Sequence, residues 1–275
     1  MLHAHQSVIL TVAGSDSGGG AGIQADLKTM TVLGSFGISA ITALTAQNGE
    51  GVRAIQGTEP VFMGTQLAAL LEGFPVAAAK TGMLFSSQLI GVVAEGLKNK
   101  RFPLVVDPVA VSQSGHKLLQ ESAVAALVEK IIPLADVLTP NGPEAETLSG
   151  VPLRALPDVA VAAEKLLAMG ARAVLIKGGH LPFAEQDGSM TDWLCLPGQE
   201  PKAFPHSRID TRNNHGTGCT LSAAIATFLG QGKPLEDAVV LAQRYLTAAL
   251  AFAFAPGAGI GPPYFAAGAA ALSVT

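Results

Sequence analysis

Short, continuously apolar runs alternate with stretches of helical spacing along almost the whole chain. Val8–Ala13, Ile38–Thr45, Val76–Lys80, Leu104–Val106, Val137-Leu138 and Val174–Lys177 have the length and hydrophobicity of buried strands. Ile23–Leu33, Val61–Gly73, Ser86–Lys98, Ala123–Ile132, Val159–Met169, Thr217–Leu229 and Leu235–Phe252 read as helices. A strand that is apolar at every position must be covered on both faces, and parallel strands need crossover helices to join them. The alternation therefore predicts an α/β fold, a three-layer α/β/α sandwich around a mostly parallel central sheet. Val52–Thr58 alternates with period two and reads as a small β flap. The stretch after Gly179 reads as irregular and partly β.

The 275 residues fit one domain of this class, with the polar residues 1–7 expected to be flexible. Apolar residues make up 49% and charged residues 14%, a balance that builds a large core and excludes a disordered chain. The net charge is −4 and no Lys/Arg block occurs, so no nucleic-acid footprint is present. No apolar run is long enough to span a bilayer, and Met1–Ser7 does not read as a signal peptide, so a cytoplasmic protein is expected. Cys195 and Cys219 have no metal spacing, and a disulfide between them is not expected in that compartment.

In doubly covered parallel sheets, ligands bind beyond the carboxyl ends of the strands. The polar and Gly-rich residues cluster at those ends: Gly14–Gly22, Gln47-Asn48, Thr81-Gly82, Asp107, Asn141 and Gly178-Gly179. This clustering points to an enzyme. Five glycines between Gly14 and Gly22 permit close backbone approach to a ligand, or simply a flexible turn. The stretch is neither a Walker A loop nor the dinucleotide fingerprint, which argues against an NAD-dependent oxidoreductase.

Asn214-His215-Gly216-Thr217-Gly218-Cys219-Thr220 places glycines directly before a helix, where free N–H groups can hold a phosphoryl group. Cys219 falls in the first helical turn, where the helix end favours a thiolate able to take a proton from a hydroxyl. The competing reading is a small buried core cysteine. Asp107, Asn141 and Glu144 are oxygen donors suited to a partly hydrated Mg²⁺ that carries nucleotide phosphates, although Asn141 and Glu144 also have the spacing of a capping box. Lys177 ends a buried strand, where it either reaches phosphate or is merely exposed. His180 and His215 read as polar loop residues and Trp193 as a packing residue.

In order and spacing, the strings AGSDSGGGAGIQADLK, ITALTAQN, KTGML, VDPV, SGHKLL, LTPNGPEAETLSG, LIKGGH and HGTGCTLSAAIA resemble the hydroxymethylpyrimidine/phosphomethylpyrimidine kinases of thiamin biosynthesis, in the ribokinase-like superfamily. The resemblance runs from about Val8 to Ile260. It implies two successive ATP- and Mg²⁺-dependent phosphorylations, of an aminopyrimidine alcohol and then of its monophosphate, by a homodimer. It implies that Cys219 is the base and that Gly216 and Gly218 form the anion hole. Asp26 and Gln47 would bind the aminopyrimidine, with Gly14, Met83 and Val109 lining its pocket. Lys177, Asn141, Glu144 and Thr217 would bind ATP, and Asp107 and Glu144 the metal. Ala110, where the family pattern has Met, and the segment Gly257–Pro263 depart from that pattern. A pyridoxal kinase of the same superfamily is the alternative enzyme, and a non-catalytic ligand binder the alternative of another class.

Overall fold

The computed structural model describes residues 6–109 and 121–272. Ala110, the SGHKLL string and residues 1–5 lie outside them. Ser7 is tied down, its carbonyl accepting from the Phe36 amide at 2.9 Å.

One ten-stranded sheet runs through the described residues, in the order β10-β9-β7-β6-β5-β4-β1-β2-β3, with β8 beside β9. The six central strands are β1 (Val8–Asp16), β2 (Phe36–Asn48), β4 (Val76–Thr81), β5 (Leu104–Val106), β6 (Val137–Leu138) and β7 (Val174–Ile176). They pair with one another in parallel. β3 (Gly51–Gly57) pairs antiparallel with the far end of β2 and forms the flap. β8 (Glu185–Gln186), β9 (Ser189–Cys195) and β10 (Lys202–Ser207) order the stretch read as partly β, and extend the other edge antiparallel.

Alternation along each buried strand sends successive side chains into two different cores. Leu10, Val12, Leu104, Val106, Val174 and Ile176 face one layer, built from α2 (Pro60–Gly73), α3 (Ser87–Leu97), α4 (Glu121–Ala126), α5 (Gly142–Ser149) and α6 (Leu156–Ala168). Ile9, Ala78, Val105 and Leu175 face the other, built mainly from α1 (Gly22–Val32), α7 (Thr217–Gly230) and α8 (Leu235–Ala251). α9 (Phe265–Leu272) packs on α8; its uniformly apolar sequence, Ala and Gly between Phe265 and Leu272, carries no polar–apolar period by which a helix could be read. The helix read at Ala123–Ile132 is α4 continued by a π turn and then a 3-10 turn over Ile132–Leu134, within which Pro133 lacks the donor needed to carry the wider helix on.

Chain order reverses direction at β1. β2 lies on one side of it, and β4, β5, β6 and β7 run outward from the other. Such a switch point opens a crevice beyond the carboxyl ends of the strands. A bulge between Ala13 and Ser15 turns β1 there, so the Gly-rich stretch begins inside the strand.

Candidate active site

A cleft of about 470 Å³ opens above the carboxyl ends of β1, β4 and β5. Its wall includes Gly14, Gln47, Met83, Asp107, Val109, Asn141, Glu144, Lys177, Gly216, Thr217, Gly218 and Cys219, so the structure gathers twelve of the thirteen residues singled out in the sequence. The thirteenth, Asp26, does not line it. Asp26 is fully buried in α1, where Lys80 Nζ lies 3.0 Å from both carboxylate oxygens and the Thr11 hydroxyl donates to Oδ2 at 2.6 Å. Both oxygens are thus engaged inside the protein, beneath the cleft floor to which Lys80 contributes. Burial alone would depress Lys80, yet the charges of Asp26, Cys219 and Asp107 raise it well above the ordinary lysine value.

The glycine before α7 has one viable identity. Gly216 has φ +82°, and a Cβ there would lie 1.9 Å from the Gly20 carbonyl oxygen. This close approach joins the two Gly-rich segments. The first intrahelical bond of α7 runs from the Thr220 amide to the Gly216 carbonyl, so the Gly218 and Cys219 amides have no partner within the helix. A Cβ on Gly218 would lie 3.5 Å from Lys177 Nζ and 3.6 Å from Asp107 Oδ2, so this turn stands directly beside a charged cluster.

In that cluster Lys177 Nζ donates to Asp107 Oδ1 at 3.1 Å and lies 4.0 Å from Glu144 Oε2, while the Ser222 hydroxyl donates to Asp107 Oδ2 at 3.3 Å. Burial would lower Lys177, but the two carboxylates raise it. Burial pushes Glu144 up to about 7, against the pull of Lys177. The capping box is formed as well. The Asn141 amide donates to Glu144 Oε2 at 2.8 Å and the Glu144 amide to Asn141 Oδ1 at 2.9 Å. Capping thus fixes both side chains at the start of α5 and leaves them on the cleft wall.

The thiolate expected at Cys219 is corrected by its surroundings. The protein desolvates the sulfur, and the thiol is pushed up to about 11 although Lys80 and the Gly22 amide oppose this. Asp26 and Asp107 act in the same direction as burial. The helix end is outweighed, and Cys219 is a neutral thiol near pH 7. Both cysteines are free.

On the opposite wall Asp16 organises the Gly-rich loop. Its carboxylate accepts from the Gly18, Gly20 and Ala21 amides at 2.8, 3.0 and 2.8 Å, and its Oδ2 lies 2.9 Å from His215 Nε2. Burial raises its pKa, but His215 and the amides more than reverse this, and the group lies below the usual carboxylate value. Met83 lies across Gly14, whose Cβ would be 2.3 Å from the methionine Cε. The arrangement has two halves that meet at Cys219. One carries polar and apolar groups suited to a small ring, and the other a cationic lysine, carboxylates and open helix amides suited to phosphate.

Comparison with known proteins bears on which family carries this cleft. A family model described as phosphomethylpyrimidine kinase matches residues 16–264. The chain belongs to that family. Among its relatives, the hydroxymethylpyrimidine/phosphomethylpyrimidine kinase of Rhizobium meliloti is 47% identical over 262 residues, covering 93% of this chain and 96% of that one. The thiamine biosynthesis bifunctional protein ThiED of Geobacter sulfurreducens is 49% identical over 92% of this chain, which spans about half (51%) of that longer protein. An ADP complex of Bacillus subtilis pyridoxal kinase superposes with a TM-score of 0.86 at 34% identity, covering 98% of this chain and all (100%) of that one. These neighbours share the ribokinase-like α/β architecture.

In this member of the phosphomethylpyrimidine kinase family, Asp16, Lys80 and His215 also line the cleft, although the sequence suggests no catalytic or binding role for Asp16 or Lys80 and only a polar loop role for His215. Lys80 carried a signal, as the one charge in the otherwise apolar run Val76–Lys80. Asp16 and His215 each fall in a Gly-rich string, but their pairing carried no signal, because 199 positions separate the two partners.

The residues fit Mg²⁺ in chemistry, as hard oxygen donors. Among the described residues no group of three or more His, Cys, Asp or Glu could hold a metal alone, so the ion's remaining ligands would be water and phosphate. Among them too, no helix is long and apolar enough to cross a membrane.

Proposed function

We propose that this protein transfers the γ-phosphoryl group of ATP to the hydroxymethyl oxygen of 4-amino-5-hydroxymethyl-2-methylpyrimidine, and then phosphorylates that monophosphate to the diphosphate. The observation that carries this reading is the meeting, at Cys219, of the Gln47 side of the cleft with the Lys177–Asp107 cluster beside the open turn of α7. The names of relatives that match nearly end to end support the same substrate class.

In this reading Gln47 binds the aminopyrimidine edge, and Gly14, Met83 and Val109 form the walls of its slot. Asp26 acts from beneath, by holding Lys80. The first turn of α7, shaped by Gly216 and Gly218 and including Thr217, receives the equatorial oxygens of the transferring group. Lys177 pairs with the nucleotide phosphates, and Asn141 holds Glu144 in place beside them. Asp107 and Glu144 would hold Mg²⁺ through their carboxylate oxygens, and the ion would neutralise charge on the transferring phosphates. The thiolate form of Cys219 accepts the alcohol proton in the first step, so the reactive fraction is small near pH 7 and grows as pH rises. The second step needs no base, since a phosphate acceptor is already ionised.

Coupled assays with the pyrimidine alcohol, its monophosphate and pyridoxal test the reading. Turnover of both pyrimidines is expected. Turnover of pyridoxal with none of the pyrimidine monophosphate would replace it with the pyridoxal kinase alternative.

A further inference from the structure

Gln47 is pinned through its backbone. Its amide donates to the Ser17 hydroxyl and its carbonyl accepts from that hydroxyl, both at 2.8 Å. What remains open is which way round its side-chain amide sits, since oxygen and nitrogen can exchange places with little change in shape. In the structure the amide nitrogen lies 3.3 Å from His215 Nε2 and the amide oxygen 3.3 Å from Thr45 Oγ1.

The neighbours decide between the two orientations. Asp16 is a carboxylate that already accepts three backbone amides, so the 2.9 Å contact with His215 requires the hydrogen to be on Nε2. A Gln47 nitrogen beside it would then set donor against donor. At the other end the single hydroxyl hydrogen of Thr45 goes to the Ser15 carbonyl at 2.9 Å. A Gln47 oxygen beside it would set acceptor against acceptor. Turning the amide over satisfies both contacts: His215 donates to Oε1, sharing its hydrogen with Asp16, and Nε2 donates to Thr45.

We infer that Thr45 and His215 hold the Gln47 amide in one orientation, oxygen toward His215 and nitrogen toward Thr45, and so determine which heterocycle edge the cleft accepts. Thr45 and His215 are positioning residues that act through Gln47. The inference rests on the proposed substrate class. A 4-aminopyrimidine offers an exocyclic N–H donor next to a ring-nitrogen acceptor, which matches an acceptor–donor pair in one register only. The 4-oxo analogue offers acceptor and N–H donor in reverse order. The ring cannot compensate by turning over, because the hydroxymethyl group beside position 4 must stay at Cys219. A locked amide therefore rejects the oxo compound. A free amide would flip and accept either.

The test compares kcat/KM for the 4-amino alcohol and its 4-oxo analogue in the wild type, Thr45→Val and His215→Phe. Wild-type preference for the amino compound is expected on the order of a hundredfold, as for sites that leave buried polar groups unpaired with the wrong partner. Each substitution is expected to reduce that preference about tenfold, chiefly by improving the oxo compound. Equal losses on both compounds, with the preference intact, would reduce the pair to a structural role and overturn the inference. A neutron structure of the wild type reads the orientation without any variant. Deuterons on the Gln47 nitrogen directed at Thr45 are expected, and deuterons directed at His215 overturn the assignment. Should the wild type turn over neither compound, the proposed function falls, and the neutron map still decides the amide.

Discussion

Lys80 and Asp26 form an ion pair at 3.0 Å in which neither side chain is exposed to solvent. Taking both charges out of water is costly, and the pair persists because Thr11 and the bidentate geometry complete it. Removing one partner, in Lys80→Met or Asp26→Ala, should destabilise the protein by about 3–5 kcal/mol in urea titrations, because the survivor is left buried and uncompensated. The double variant Asp26→Leu/Lys80→Met should lose less than the sum. Since Lys80 is raised in the fold, the stability it contributes is present below the lysine value of the unfolded chain. It is lost as pH rises from there through the higher folded value.

Burial pushes the Cys219 thiol up to about 11, so the first phosphorylation should speed up about tenfold per pH unit below that value while the thiolate fraction grows. The second phosphorylation should lack this slope. Cys219→Ala should slow the first step by about 10²–10⁴-fold and the second far less. Cys219→Asp, ionised throughout, should flatten the profile. Rates of the separate steps, followed by product chromatography, check all three.

Glu144 is raised to about 7, so its charged form is disfavoured in the fold. For an acid raised in this way, folding is favoured at low pH, and that contribution is lost between the unfolded value and pH 7. Glu144→Gln keeps an acceptor for the Asn141 amide and removes the charge. It should be more stable than wild type by up to about 2–3 kcal/mol above pH 7 and indistinguishable near pH 4. The same substitution should lower ATP-dependent turnover. Thermal unfolding across pH, beside the kinase assay, measures both.

Gly216→Ala should abolish both phosphorylations alike, because the added Cβ meets the Gly20 carbonyl at 1.9 Å and the backbone is at φ +82°. Gly20 cannot retreat without breaking its bond to Asp16. Equal loss in both steps separates this shape role from the step-specific role of Cys219.

Much of the site was legible because phosphate chemistry draws on local motifs. Gly216-Thr217-Gly218-Cys219 opens a helix, and Asn141 and Glu144 cap another, within a few residues each. The strands from β1 to β7 could be read for a similar reason: burial on both faces leaves an apolar run. β8, β10 and α9 were less legible, the two strands largely exposed at the sheet's margin and the helix without period.

The sequence by itself determined the α/β class, the places where the chain turns polar at strand ends, and the family. It could not determine the electrical state of Cys219, since a helix start favours thiolate locally while burial among Lys80, Asp26 and Asp107 is a property of the assembled interior. Nor could it reveal that Asp26 faces Lys80 rather than the cleft, or that Asp16 meets His215 across almost the length of the chain. Desolvation and long-range pairing depend on distances that exist only once the sheet has brought its strand ends together.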